Sequence, residues 1–342
     1  MRGLSRLRFK RTSLMLGFFV AVLAGLALGK QTLRFDPSLS VILATALLIL
    51  YKKKTLITFI IIVSLGLSLG VLRAQHFSDQ TAVYQRYFKQ KQSYRLTANA
   101  DAVYGKNKQM SFDAGHLTTA SGEVLPGKVQ MSGFGMNAVY QGDEIIATGS
   151  LRKGFGSYQA GMSYATLELV KHNPSTVADL RRKFAAGIQS TLPEPLAPFA
   201  MGILIGQRAT LPAEVKQDFL MVGLTHIIAV SGYNLTIILN ASQRVLGGRS
   251  KRIATFLTLM LIAVFLLITG SSASIVRAAI VSVLSIWAGF YGRRFKPLNL
   301  IAFAAVITAL ANPTYIWSDL SWYLSFLAFY GVMVLSPLVQ QR

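Results

Sequence analysis

The sequence predicts a polytopic α-helical membrane protein of about eight transmembrane helices, with a small extracytoplasmic β-barrel of OB-like type inserted after the third. Three observations carry this. Only 14% of the 342 residues are charged and 52% are hydrophobic, whereas about a quarter of a soluble domain is charged. Mean hydropathy is correspondingly +0.46. Apolar runs of spanning length gather towards the two ends of the chain, and a polar block with strand-like alternation lies between them. The chain is also strongly basic, 35 Lys and Arg against 13 Asp and Glu. That bias fits either anionic partners or loops anchored at a cytoplasmic surface.

Residues 1–72 hold three apolar runs, Ser13–Gly29, Ser38–Tyr51 and Thr55–Leu72. A helix needs roughly 20 residues to cross hydrocarbon, with about 17 the lower limit. The first and third runs reach that length; the second is short. The basic start followed by Leu14–Leu28 resembles a signal peptide, but no small-residue cleavage site follows and more apolar runs do. An uncleaved first helix is therefore expected. Residues 219–342 supply five further runs: Phe219–Asn240, Ile253–Thr269, Ser274–Tyr291, Leu298–Ala311 and Trp322–Leu338.

Orientation follows from the Lys and Arg of the short loops. Arg2, Arg6, Arg8, Lys10 and Arg11 hold the N-terminus in the cytoplasm, with Lys52–Lys54 on the same side. Arg244, Arg249, Lys251 and Arg252, then Arg293, Arg294 and Lys296, return there. The connections assigned to the outside, around Gly270 and Asn312–Ser321, carry no Lys or Arg. The expected location is the cytoplasmic (inner) membrane, multi-pass, with the polar block outside.

That block, residues 73–175, alternates in Tyr94–Tyr104, Gln109–Thr118, Lys128–Ser132, Asp143–Leu151 and Ser163–Val170. Five short strands separated by Gly, Asn and Pro suit a small barrel. Arg73–Lys183 carries 14 Lys and Arg against 8 Asp and Glu. Aromatic side chains among those cations are candidates to stack unpaired bases, although a packing core with a mildly basic surface fits the same composition. Residues 176–218 form an amphipathic and interfacial or re-entrant segment. In Thr176–Leu192, Val177, Leu180, Phe184 and Ile188 share a face with Arg181, Arg182 and Lys183 beside it, which suits the outer leaflet.

Four features place polar groups where they are costly in a membrane. Gly223–Thr236 sets His226, Ser231, Gly232, Tyr233 and Asn234 in an apolar stretch. Such residues face protein or water, either along a hydrated path or in hydrogen bonds that fix packing. On a continuous helix His226 and Tyr233 fall within about 20° of each other, and Ser231 about 140° from His226. Arg277 sits a few residues inside a run, either snorkelling or facing a cavity where its planar fork suits phosphate oxygens. Arg208 belongs to Gly202–Pro212, a run too short to span, and Asp319 and Ser325 fall near an outer mouth beside Trp322 and Tyr323.

Several chemistries are set aside. With no Cys there is no disulfide framework, thiolate metal site or thiol nucleophile, and His76, His116, His172 and His226 are scattered. No G-x-x-x-x-G-K-[ST] or H-E-x-x-H motif occurs, so neither P-loop ATP hydrolysis nor zincin chemistry is expected. No cofactor, metal or catalytic residue is assigned. A Ser231–His226 pair would make an intramembrane serine protease, but one continuous helix points the two apart.

Taken in order, Gly142-Asp143, Gly149-Ser-Leu151, Leu180-Arg181, Leu204-Ile-Gly-Gln-Arg208, Gly223-Leu-Thr-His226-Ile-Ile-Ala-Val-Ser231-Gly232, Ser274-Ile-Val-Arg277-Ala-Ala, Gly292-Arg293, Asn312-Pro313 and Leu324-Ser325-Phe-Leu-Ala resemble the ComEC family of competence proteins. The resemblance covers most of residues 85–338 and departs from the family at Asn234, often His there, and at Gln207, often Asp. It implies a DNA uptake channel of natural transformation that passes single-stranded DNA. It also implies an extracytoplasmic DNA receptor and a cytoplasmic DNA-translocating ATPase as partners. Membrane lipid and a second copy of the chain are further candidate partners apart from the resemblance. Family members often continue into a metallo-β-lactamase-like domain. The expectation is therefore a short form or fragment, or a separate nuclease. The alternative of another class is a membrane-anchored DNA-binding or assembly protein without its own pore.

Overall fold

The computed structural model describes residues 9–30, 36–50, 55–104, 109–136, 138–173, 176–194, 196–205, 213–223, 232–246, 248–269, 273–292 and 296–340. The chain divides into two compact units, Met1–Ala82 with Tyr291–Arg342, and Val83–Phe290.

The first unit opens with α1 (Arg11–Leu28), α2 (Pro37–Leu50) and α3 (Leu56–Ala82). The helix α3 runs ten residues past Leu72, where the apolar run ends. Hydropathy marks where a helix leaves hydrocarbon, not where its hydrogen bonds stop. Its polar end stays helical, with Thr81 donating to the Phe77 carbonyl (2.9 Å) and Gln80 bonded to His76 (3.0 Å). Small residues bring α1 and α3 into backbone contact: a Cβ on Gly25 would meet the Leu67 carbonyl, and one on Gly70 the Val22 carbonyl. Both belong to small-xxx-small patterns, Gly25/Gly29 and Gly66/Gly70, the spacing that lets membrane helices approach closely. Ser40 of α2 donates to Ser68 of α3 at 3.0 Å, both buried.

The second unit begins with a 3-10 turn, Val83–Arg86, and then β1 (Lys91–Ala98), β2 (Val103–Tyr104), β3 (Met110–Thr119), β4 (Val124–Leu125), β5 (Val129–Phe134), β6 (Glu144–Lys153) and β7 (Ala160–Lys171). All five expected strands are present. The first ends at Ala98, and Val103–Tyr104 forms a separate short strand on β3. Strand β1 pairs antiparallel with both β6 and β3, β3 with β5, and β6 with β7, while β5 and β7 run parallel. The sheet therefore closes on itself, and its long strands have no free edge. Alternate residues point inward, as in β5, where Val129 and Met131 are fully buried and Gln130 is exposed. Tyr84 from the 3-10 turn enters the same core with Tyr94. Burial pushes the Tyr94 phenol up.

Among the described residues six helices follow: α4 (Thr176–Thr191), α5 (Leu196–Ile205), α6 (Ala213–Met221), α7 (Gly232–Leu246), α8 (Lys251–Thr269) and α9 (Ala273–Phe290). The expected span Phe219–Asn240 is not one described helix. The helix α6 ends at Met221, Gly223 takes φ +73°, and α7 starts at Gly232. Glycine bears that left-handed conformation without a Cβ clash.

The chain then returns to the first unit with α10 (Pro297–Ala311), α11 (Thr314–Ser318), α12 (Leu320–Tyr330), a π-helical stretch Gly331–Leu335 and α13 (Ser336–Gln340). Polar side chains tie these helices to α1 and α3. Asn299 donates to the Thr12 carbonyl (3.0 Å), and the Trp317 indole to the Leu26 carbonyl (2.9 Å). Arg73 Nε donates to the Leu310 carbonyl at 2.9 Å, covering a C-terminal carbonyl of α10. Among the described residues four helices are long and apolar enough to cross a membrane: Arg11–Leu28, Leu56–Arg86, Lys251–Thr269 and Leu320–Gln340. Ser274–Phe290 and Pro297–Ala311 are apolar but shorter. The eight expected spans are thus not all described: α2 is described over 14 residues, and the fourth expected run, Phe219–Asn240, includes residues outside the described ones.

Candidate functional site

The helix α9 carries the residue that the sequence left between two places. Arg277 is 1% exposed, and Ile275, Ala278, Ala279 and Val281 around it are buried. A snorkelling arginine reaches out of its helix into lipid or water; this one is enclosed by protein. Its helix packs on α7 and on α8. An ionic side chain inside apolar helices costs several kcal/mol unless well paired, so such positions mark sites of function.

Asn234 lies on the helix α7 that packs on α9. Its Nδ2 donates to the Ile203 carbonyl at 2.9 Å, covering an open carbonyl in the last turn of α5. Gly232 opens α7, and the Thr236 hydroxyl donates back to its carbonyl at 3.0 Å. Tyr233 lies in the first turn of α7. His226, Ser231 and Arg208 lie outside the described residues.

Asp319 and Ser325 belong to the other unit. Asp319 is the N-cap of α12, its Oδ1 accepting from the Trp322 amide at 3.2 Å. The carboxylate thus serves a helix end, where negative charge is favoured. Ser325 is half-buried in α12.

A second polar cluster escaped sequence reasoning. Asp143 is 1% exposed in the sheet domain; its Oδ1 lies 2.6 Å from His172 Nδ1, and its Oδ2 accepts from the Tyr140 amide at 2.9 Å. The Arg182 guanidinium of α4 lies 4.5 Å from the Tyr140 ring centre and 3.7 Å from Asp101. Its neighbour Arg181 donates to the Leu267 carbonyl near the end of α8 at 3.1 Å. Burial pulls the Arg181 guanidinium below its ordinary value, Asp101 opposes this and Arg182 adds to it. Two adjacent arginines therefore join the sheet domain and α8 through one helix. The expected amphipathic α4 is present, but its arginines face protein, while Leu180 and Phe184 are exposed. The missed signal was the spacing of Ala178, Arg181, Arg182 and Ala185, a second stripe at helical period.

Arg182→Ala is expected to weaken this joint by about 1–2 kcal/mol, a cation–π contact plus a half-exposed ion pair. Hydrogen exchange of α4 amides should speed up several-fold, whereas Lys183→Ala, at an exposed position, should leave it unchanged. Equal exchange in both variants would count against the joint.

The family model described as Competence protein matches residues 203–342. These residues belong to the competence-protein family. The competence domain so defined contains α6 to α13 and with them Asn234, Arg277, Asp319 and Ser325. Over 167 residues the chain is 23% identical to ComE operon protein 3 of Bacillus subtilis (strain 168), a stretch that takes in 48% of this chain and 21% of that protein. The chain thus matches about a fifth of the length of that curated relative. No solved structure matches it. The competence domain and the long apolar helices together make this a membrane protein that also carries a β domain.

Proposed function

We propose that the chain takes part in DNA uptake for competence and passes a single DNA strand through its helices into the cytoplasm. The observation that carries this is Arg277, a guanidinium enclosed within the apolar competence domain. A fixed fork of donors suits phosphate oxygens, and hydrogen-bonding side chains such as Asn234 offer partners along a path without holding the strand too tightly. We read the closed sheet as an OB-like barrel. Its ring order, with one parallel pair between β5 and β7, supports that reading. In this reading the barrel lies outside the cell, where its basic surface collects the polyanion, and strong salt weakens the capture. The basic clusters that put the N-terminus inside support that orientation. The chain itself performs no covalent chemistry, and a cytoplasmic ATPase pulls the strand.

Uptake of labelled DNA by cells carrying Asn234→Leu or Arg277→Ala, with membrane abundance matched, tests the path. Loss of import with DNA still held at the surface is the expected result. Import at the wild-type rate in both variants sinks the path, and loss of surface binding as well points to a receptor without a pore.

A further inference from the structure

One surface of the β domain combines features that its core does not need. A cavity of about 400 Å³ opens on the outer face of β3, β5 and β7, with Gln109, Gln130, Ser132, Ser163, Arg152 and Tyr164 among its lining. Gln109, Ser132 and Ser163 are half-buried, Gln130 and Arg152 exposed. This floor consists of neutral amides and hydroxyls, each able to donate and to accept. Arg152 adds the positive charge, its guanidinium bonded to the Ser163 hydroxyl. Tyr164 stands at the side, 78% exposed at φ +57°. A bulky residue rarely adopts that conformation, and burial does not compensate it here. Its ring stacks on Phe134, with centres 6.4 Å apart and planes inclined by 26°, leaving the outer ring face open.

The geometry points to a single-strand DNA subsite in this cavity: a base stacked on Tyr164, its edge over Gln109 and Gln130, and its phosphate on Arg152. The inference rests on the uptake reading above and names where the β domain would first hold the strand. An aromatic face open to solvent accepts any unpaired base and is sequence-tolerant, whereas duplex DNA keeps its base faces stacked. A peptide added as an extra strand finds no long free edge on a closed ring. The nearby Asp113, next outward from Ser111 on β3, accepts the Tyr158 hydroxyl at 2.7 Å. Lys128 lies exposed at the same end of the ring, where its carbonyl accepts from the amide of Gln159 in the β6–β7 connection. Cation, stacking surface and hydrogen-bonding floor thus adjoin one another, and a phosphodiester strand presents the matching three groups at each nucleotide.

Binding of a fluorescein-labelled oligo-dT of about 15 nucleotides, the upper size of one such site, is measured by anisotropy on the full chain in detergent. Tyr164→Ala is expected to weaken binding roughly 5- to 100-fold, with Tyr164→Phe near wild type. Arg152→Gln should weaken it and flatten the salt dependence by about one phosphate contact. Tyr164→Gly separates stability from binding: relief of the left-handed strain keeps or raises the melting temperature while affinity falls. If the wild type binds and imports DNA but Tyr164→Ala and Arg152→Gln bind the strand equally well, the subsite is wrong and the uptake reading stands. If the wild type binds no strand, both fall. A salt-independent preference for a neutral oligosaccharide over the oligonucleotide also overturns the subsite.

Discussion

Gly70→Val should cost the first unit about 1–3 kcal/mol, the range for forcing extra carbons into a packed contact. A Cβ at Gly70 meets the Val22 carbonyl, the Leu26 amide and the Gly25 Cα, all main-chain atoms of α1. Backbone cannot rotate aside as a side chain can, so the helices must separate. In a bilayer their association has no hydrophobic drive and depends on this close van der Waals contact. The displacement would propagate, because the Leu26 carbonyl that accepts the Trp317 indole lies on the same stretch of α1. Thermal unfolding in detergent should show a lower midpoint and cells a lower folded abundance. Gly289→Ala is the internal control. Nothing lies within 4 Å of a Cβ there, and alanine favours helix over glycine by up to about 1 kcal/mol. Equal midpoints for Gly70→Val and wild type would show that the helices do not depend on this contact.

How far the sequence reveals such features depends on whether their cause is local. The β strands were legible because alternation is a property of neighbouring residues, as in Val129, Gln130 and Met131. Closure of the ring was not, since the β1–β3 and β5–β7 pairings join segments that only tertiary packing selects. The Gly66/Gly70 spacing was readable but is common in apolar helices, and nothing local names α1 as its partner. Helix ends were misread wherever polar residues continue a helix, as in Arg73–Ala82, or where a glycine interrupts an apolar run, as at Gly223. Of the site, the sequence marked Arg277 as a costly position but could not choose between lipid headgroups and the interior. That choice depends on how α7 and α8 pack around α9. Asp319, expected near an outer mouth, also sits one residue before a helix and caps it, a second role that its position in an apolar run did not show.

Arg277→Leu should separate stability from transport. Leucine sheds the cost of holding a charge among apolar helices, while the groups that Arg277 contacts lose that partner, and the two effects oppose each other. The unfolding midpoint is therefore expected to stay near that of the wild type. Import of labelled DNA should nevertheless fall roughly tenfold or more, the weight of one charge-assisted contact of about 1.5–3 kcal/mol made with each passing phosphate. Arg277→Lys keeps the charge but loses the planar fork, so its import should lie between the two. A purely architectural arginine predicts another order. Its removal would strand its partners, lower stability by several kcal/mol, and reduce import only in proportion to lost protein, with lysine restoring both together. Measuring abundance, midpoint and import on the three chains decides between these orders. Arg277 is 1% exposed, so removing a lipid-headgroup anchor cannot be what either variant reports.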